Sequence, residues 1–311
     1  VKHVIPEIEW LTHEPYIAAI EELKKTRNAI ILAHNYQTPE IFYGVADLCG
    51  DSLALARLAA QTEADVIVMC GVHFMAETAK LMNPNKTVLI PSLEAGCSLA
   101  ASIQAEDVRM LRQRYPGLPV VTYVNTSAAV KAECDVCCTS SNAVDIVNAL
   151  DSDSVIFLPD EYLGKYVATQ TDKKIILWQG HCEVHERFTA QDLINHRQIH
   201  QDLTIIAHPE CPPDVLNEAD FVGSTSQLLM YVKREQPKRV MMVTECSMSD
   251  NVAVEFPHIE FIRPCNLCPH MKKITLPNIL QSLQEMIHPV TIPNDIANKA
   301  KIAVERMLEL S

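Results

Sequence analysis

Ile30-Ile31-Leu32-Ala33-His34-Asn35-Tyr36 is an apolar run that ends in three polar residues. A short apolar run of this kind reads as a strand buried on both faces, as in a parallel sheet, with its chemistry at the carboxyl end. The pattern returns in Val120-Val121-Thr122-Tyr123-Val124-Asn125 and in Ile205-Ile206-Ala207-His208-Pro209-Glu210, at a period of about 85 to 89 residues. Aligning the three tips sets His34, Tyr123 and His208 at one position. Tyr36, Asn125 and Glu210 share the position two residues on, which is the same face of a strand.

Working outward, each tip is followed by a hydroxyl-rich segment that opens a helix: Gly50-Asp51-Ser52, Thr139-Ser140-Ser141-Asn142 and Gly223-Ser224-Thr225-Ser226. Second strands follow at Val66 to Cys70, Val155 to Leu158 and Val240 to Val243, and third strands at Val88 to Ile90, Ile175 to Leu177 and Ile259 to Ile262. The predicted fold class is α/β: three similar α-β-α units with short parallel sheets, arranged around a pseudo-threefold axis. The units are placed at residues 26–114, 115–200 and 201–288. An N-terminal extension (1–25) and a C-terminal helix (289–311) are expected to pack on the first.

Composition narrows the function. With Lys+Arg 26 and Asp+Glu 39 the net charge is −13, which argues against a nucleic-acid or anionic-membrane partner. No apolar run reaches the ~18 residues of a membrane span. Val1-Lys2-His3-Val4-Ile5-Pro6-Glu7 lacks the apolar core of a signal peptide. The expectation is a cytoplasmic protein, where structural disulfides are rare, so the 11 cysteines need another reading.

Three of them recur with the repeat. Cys97, Cys182 and Cys268 each follow a third strand, at spacings of 85 and 86. Ligands collect beyond the carboxyl ends of parallel strands. Three thiolates suit a 4Fe–4S cluster with one iron left open, and an open iron can act as a Lewis acid. A rival is a four-cysteine zinc site pairing Cys134-Asp135-Val136-Cys137 with Cys265-Asn266-Leu267-Cys268. Cys265 is also a candidate disulfide partner of Cys268. Cys49, Cys70, Cys138, Cys211 and Cys246 read as core residues.

The tips supply titratable groups for proton transfer, with Glu210 beside His208 as a candidate general acid or base. An ion pair or a helix cap is its structural alternative. Ser52, Ser140 and Thr225 stand at expected helix N-termini, where N–H groups and the helix dipole favour carboxylates or phosphate. His185, Glu186 and Arg187 either orient the surroundings of Cys182 or form a surface charge cluster, and Glu77 and Lys80 are expected to pair.

Taken together, Ala33-His34-Asn35-Tyr36-Gln37, Gly50-Asp51-Ser52-Leu53, Gly71-Val72-His73-Phe74-Met75-Ala76-Glu77-Thr78-Ala79-Lys80, Tyr123-Val124-Asn125-Thr126, Cys138-Thr139-Ser140-Ser141-Asn142, Pro159-Asp160-Glu161-Tyr162-Leu163-Gly164, Gly180-His181-Cys182-Glu183-Val184-His185, His208-Pro209-Glu210-Cys211 and Cys268-Pro269-His270-Met271 resemble the quinolinate synthase family of NAD biosynthesis. The matching segments run in order from residue ~30 to ~285, which a single-motif coincidence does not produce. The resemblance implies a 4Fe–4S cluster on Cys97, Cys182 and Cys268. It implies condensation of iminosuccinate with dihydroxyacetone phosphate to quinolinate, phosphate and water. The imine would come from an aspartate oxidase or dehydrogenase.

Substrate-binding positions carry over to His34, Ser52, Tyr123, Asn125, Ser140, His208, Glu210 and Thr225, with backbone from Val124 and Pro209. The catalytic set implied is Glu210, Tyr36, His34 and His208, Tyr36 matching a tyrosine that assists proton transfer. One departure is Ile262, where some relatives carry the first cysteine of a C-x-x-C-x-x-C run. The competing class is a non-catalytic iron–sulfur or zinc redox sensor.

Overall fold

The computed structural model describes residues 4–310; the first three residues of the N-terminal extension and the last of the C-terminal segment lie outside it. Among the described residues there are three sheets of four parallel strands. The first holds β1 (Ala29–His34), β2 (Leu48–Gly50), β3 (Val66–Cys70) and β4 (Thr87–Leu89) in the order β2-β1-β3-β4. The second holds β5 (Val120–Tyr123), β6 (Val136–Cys138), β7 (Ser154–Leu158) and β8 (Lys174–Leu177) in the order β6-β5-β7-β8. The third repeats that order with β9 (Leu203–Ala207), β10 (Phe221–Val222), β11 (Arg239–Val243) and β12 (Glu260–Ile262). The central strands are β-branched and buried along most of their length, as sheets covered on both faces require.

The edge strands β2, β6 and β10 escaped the sequence reading, being only 3, 3 and 2 residues long. Each is set by an aspartate just before it. Asp47, Asp135 and Asp220 accept from the backbone N–H of Ile31, Val120 and Ile205 at 2.8, 2.7 and 2.7 Å. A cation from the preceding helix meets each: Lys24 at 2.7 Å, Arg112 at 2.8 Å and Arg197 at 2.9 Å. The same ion pair thus registers the opening of all three sheets. Such charge-assisted bonds are worth about 1.5–3 kcal/mol each where partly buried.

The chain forms two compact units, Val1–Cys97 with Cys268–Pro293, and Ser98–Leu267 with Asn294–Ser311. In the first, the helix Glu7–Thr26 packs on β1 and on the helix Leu276–Glu285. Residue 276 onward, read as the end of the third repeat, therefore serves the first sheet. The second unit carries the other two sheets. Its C-terminal helix Asn294–Glu309 buries Ala300, Ala303, Val304 and Met307. The sequence placed this helix on the first repeat; instead it packs on Ala128–Lys131 and β6 of the second. Its amphipathic pattern defines an apolar face but carries nothing about the partner of that face. None of the helices described is long and apolar enough to cross a membrane.

Candidate active site

Two of the three tips meet in the second unit. β5 ends at Tyr123, whose hydroxyl donates to Glu210 Oε1 at 2.5 Å. Glu210 lies just beyond β9 and is 4% exposed, yet its other oxygen is also held: His185 Nδ1 lies 2.8 Å from Oε2. His208 joins Ser140 across the same junction, Nε2 to Oγ at 3.2 Å, and its ring stacks on His185 at 4.8 Å. Beneath the Tyr123 tip the fully buried Lys131 donates to the carbonyls of Val124 and Thr126, and Thr126 Oγ1 donates to Tyr123 O at 3.2 Å. The backbone of the tip is thus held at the carbonyls of Tyr123, Val124 and Thr126.

Burial by itself would push the Glu210 carboxyl up. The imidazoles of His185 and His208, with hydrogen bonds from His185 and Tyr123, outweigh it and hold the group below the usual carboxylate range. Asp160, fully buried after β7, goes the other way. Burial first and the charge of Glu210 second raise it well above that range, against backbone N–H donors from Leu163 and Tyr162. Its Oδ2 is buried without a hydrogen-bond partner. The chain reaches this point through Gly180, where a Cβ would lie 2.4 Å from Pro159 O.

In the first unit the tip repeats the backbone device of the third. Tyr36 N–H reaches His34 Nδ1 at 3.2 Å, as Glu210 N–H reaches His208 Nδ1 at 3.4 Å. The rings of His34 and Tyr36 meet edge to face at 4.6 Å, and Lys272 donates to Tyr36 O at 2.8 Å. Ser52 and Thr225 are first residues of the helices Ser52–Gln61 and Thr225–Glu235; the caps are Asp51 and Ser224. Ser140 precedes its helix, Ala143–Ala149, by three residues and lies in the turn before it.

Cys97, Cys182 and Cys268 are half-buried. In the first unit a Cβ at Gly96 would lie 3.5 Å from His270 Nδ1, so the turns bearing Cys97 and Cys268 adjoin. In the second, Ser98 Oγ donates to His181 O at 3.2 Å and accepts from Glu183 N–H at 3.1 Å, bracketing Cys182. The remaining thiols suit metal poorly. Burial pushes Cys137 up to about 12 and Cys70, Cys134, Cys138 and Cys211 upward as well. Cys265 is bonded to Cys246, not to Cys268. That replaces the candidate Cys265–Cys268 pairing and removes Cys265 from a four-cysteine zinc site; Cys246 is buried, as its core reading has it, and also carries this bond. Among the described residues the group of His, Cys and acidic side chains close enough to share one ion is Cys182, His185 and Glu210, with donor atoms all within 4.8 Å.

The flanking charges separate. Glu186 and Arg187 are exposed, whereas His185 is 1% exposed and faces inward. His181 turns to Glu161 at 2.8 Å and stacks on Tyr162 at 4.5 Å. Lys80 donates to the carbonyls of Pro84 and Lys86 instead of pairing with Glu77, which lies 3.9 Å from His73.

The sequence matches the family described as Quinolinate synthetase A protein over residues 18–309. The chain belongs to the quinolinate synthetase A protein family. It is 65% identical over 308 residues to Quinolinate synthase 2 of Mesorhizobium japonicum, covering 99% of this chain and 95% of that protein. It is 62% identical over 310 residues to the Quinolinate synthase of Agrobacterium fabrum, covering 100% and 90%. The Quinolinate synthase of Xylella fastidiosa is 64% identical over 294 residues, 94% of this chain and 87% of that one. In this member of the family, two site-supporting residues are not announced by the sequence. Asp160 follows Pro159 at a helix start, a capping signal that does not announce a buried acid. Lys131 stands alone in an Ala-rich turn, and nothing local marks it as buried.

Proposed function

We propose that this chain condenses iminosuccinate with dihydroxyacetone phosphate, forming quinolinate with loss of phosphate and water, as a step of NAD biosynthesis in the reducing cytoplasm. The imine would be supplied by an aspartate oxidase or dehydrogenase. The observation that carries the reading is Glu210: a buried carboxylate gripped by Tyr123 and His185 where two strand tips meet. This supports a group that moves protons around one ligand.

The donor set fits an iron–sulfur group. Cys97, Cys182 and Cys268 recur with the sheets and are half-buried. In this reading they hold a 4Fe–4S cluster, which supplies a Lewis-acidic iron when bound. The rest is work for the chain. Ser140 and the N-terminus at Thr225 hold carboxylates, and Ser52 with neighbouring backbone holds phosphate. Glu210 takes and returns protons, its charge kept by His185 and Tyr123. His208, His34 and Tyr36 present further donors, and Asn125, Val124 and Pro209 line the ligand. A second reading, one zinc in a redox sensor, rests on the clustering of Cys182, His185 and Glu210.

Anaerobic purification with iron, sulfide and zinc counts, then assay with dihydroxyacetone phosphate, oxaloacetate and ammonia, tests the choice. About four irons per chain with quinolinate formed is the expected result. Cys97→Ala, Cys182→Ala and Cys268→Ala should each lose visible absorbance and activity together. A colourless protein holding one zinc and making no quinolinate overturns the proposal.

A further inference from the structure

We propose that His185 is a positioning residue: its single Nδ1–H, shared between Glu210 and Cys182, keeps the proton-handling carboxylate in register with a metal-holding sulfur. The inference rests on the function proposed above. His185 Nδ1 lies 2.8 Å from Glu210 Oε2 and 3.2 Å from Cys182 Sγ. A carboxylate only accepts, so this nitrogen carries the proton. On the far side Nε2 is 3.0 Å from Thr244 Oγ1, a fully buried hydroxyl just past β11 that can rotate to suit the ring. His208 stacks on one ring face at 4.8 Å. The imidazole is therefore fixed at both nitrogens and on a face.

The fold does not require a histidine here. His185–Arg187 is a single helical turn after Cys182, and the third repeat makes the same turn after Cys268 with Met271 in the equivalent place. The closing bonds match, Glu186 N–H to Cys182 O at 3.0 Å and Lys272 N–H to Cys268 O at 3.2 Å. An apolar side chain completes the turn in one repeat. The imidazole occurs where a carboxylate and a cysteine sulfur both stand within reach. Partners of this kind orient metal ligands and tune the metal, and their loss typically costs ~10–100-fold in activity or metal affinity.

The test uses the anaerobic holoprotein and compares wild type with His185→Leu, His185→Asn and Thr244→Val. Asparagine keeps an N–H donor near the position of Nδ1; leucine removes it. Readouts are iron and sulfide content, the cluster's midpoint potential, kcat and KM. His185→Leu should load iron like wild type but lose ~10–100-fold in kcat, with KM changed far less. Its potential should fall, because a hydrogen bond to sulfur favours the reduced state. His185→Asn should recover much of kcat and potential, and Thr244→Val should move both the same way by less. Wild-type kcat and potential in His185→Leu overturn the inference, as do equal defects in the Leu and Asn variants. If His185→Leu does not fold, the Asn and Thr244→Val measurements decide alone. A wild type that loads no cluster or makes no quinolinate fails the parent reading first, and this inference falls with it.

Discussion

Glu210 and Asp160 are both buried carboxyls in one compact unit, and the surroundings drive them apart. Glu210 is 4% exposed and meets an imidazole on one oxygen and a phenol on the other. Asp160 is 0% exposed and spends Oδ1 on two backbone N–H groups, while Oδ2 has no partner. Desolvation acts on both; nearby donors and charges decide the sign. One carboxyl is pushed down and the other up, the kind of split that separates an acid from a base at a single pH. The charge on Glu210 is itself part of what raises Asp160, second to burial.

The largest break in this contrast is Glu210→Gln. An amide cannot exchange protons, so turnover should fall ~10²–10⁴-fold while iron content stays at the wild-type level. Turnover within a few-fold of wild type would take Glu210 out of proton transfer. Tyr123→Phe is gentler. It removes one donor to a charged group, worth about 1.5–3 kcal/mol, and should lower activity by roughly 10–100-fold. Glu210 should then titrate higher, because one of the bonds holding it down is gone. Unchanged titration by carboxyl-labelled NMR would show that the histidines alone hold the charge.

How much of this was legible beforehand follows from the range of each interaction. The three sheets and their tips were readable because β-branched runs and their polar ends are local patterns, and a repeat states them three times. The pairs Lys24–Asp47, Arg112–Asp135 and Arg197–Asp220 recur with the same period, so a repeat search extended to charges would have found them. The grip of His185 on Glu210 was not readable. It joins a loop after β8 to a strand tip in another sheet, and only packing sets that distance. The same holds for Cys246–Cys265 and for the C-terminal helix, whose apolar face was evident but not its seat.

The smallest expected effect is at Asp160, and it sharpens the contrast most. If Asp160 is neutral in the folded protein, asparagine imitates it, keeping the oxygen that caps the helix Glu161–Ala168. Asp160→Asn should therefore change stability at pH 7 by less than about 0.5 kcal/mol or raise it, whereas Asp160→Ala should cost about 1 kcal/mol for the lost cap. The pH dependence fixes the sign. An acid whose folded value is raised favours the fold below its unfolded value, near ~3.9 for Asp, and that advantage is lost as pH rises through the folded value. Glu210, held low, contributes stability above its unfolded value of ~4.3 that is lost as pH falls through the folded value. Denaturant melts from pH 4 to 8 should thus show wild type losing ground to Asp160→Asn as pH rises. A gap that stays flat across that range would mean that Asp160 is charged when folded, and the two carboxyls would then differ in partners but not in state.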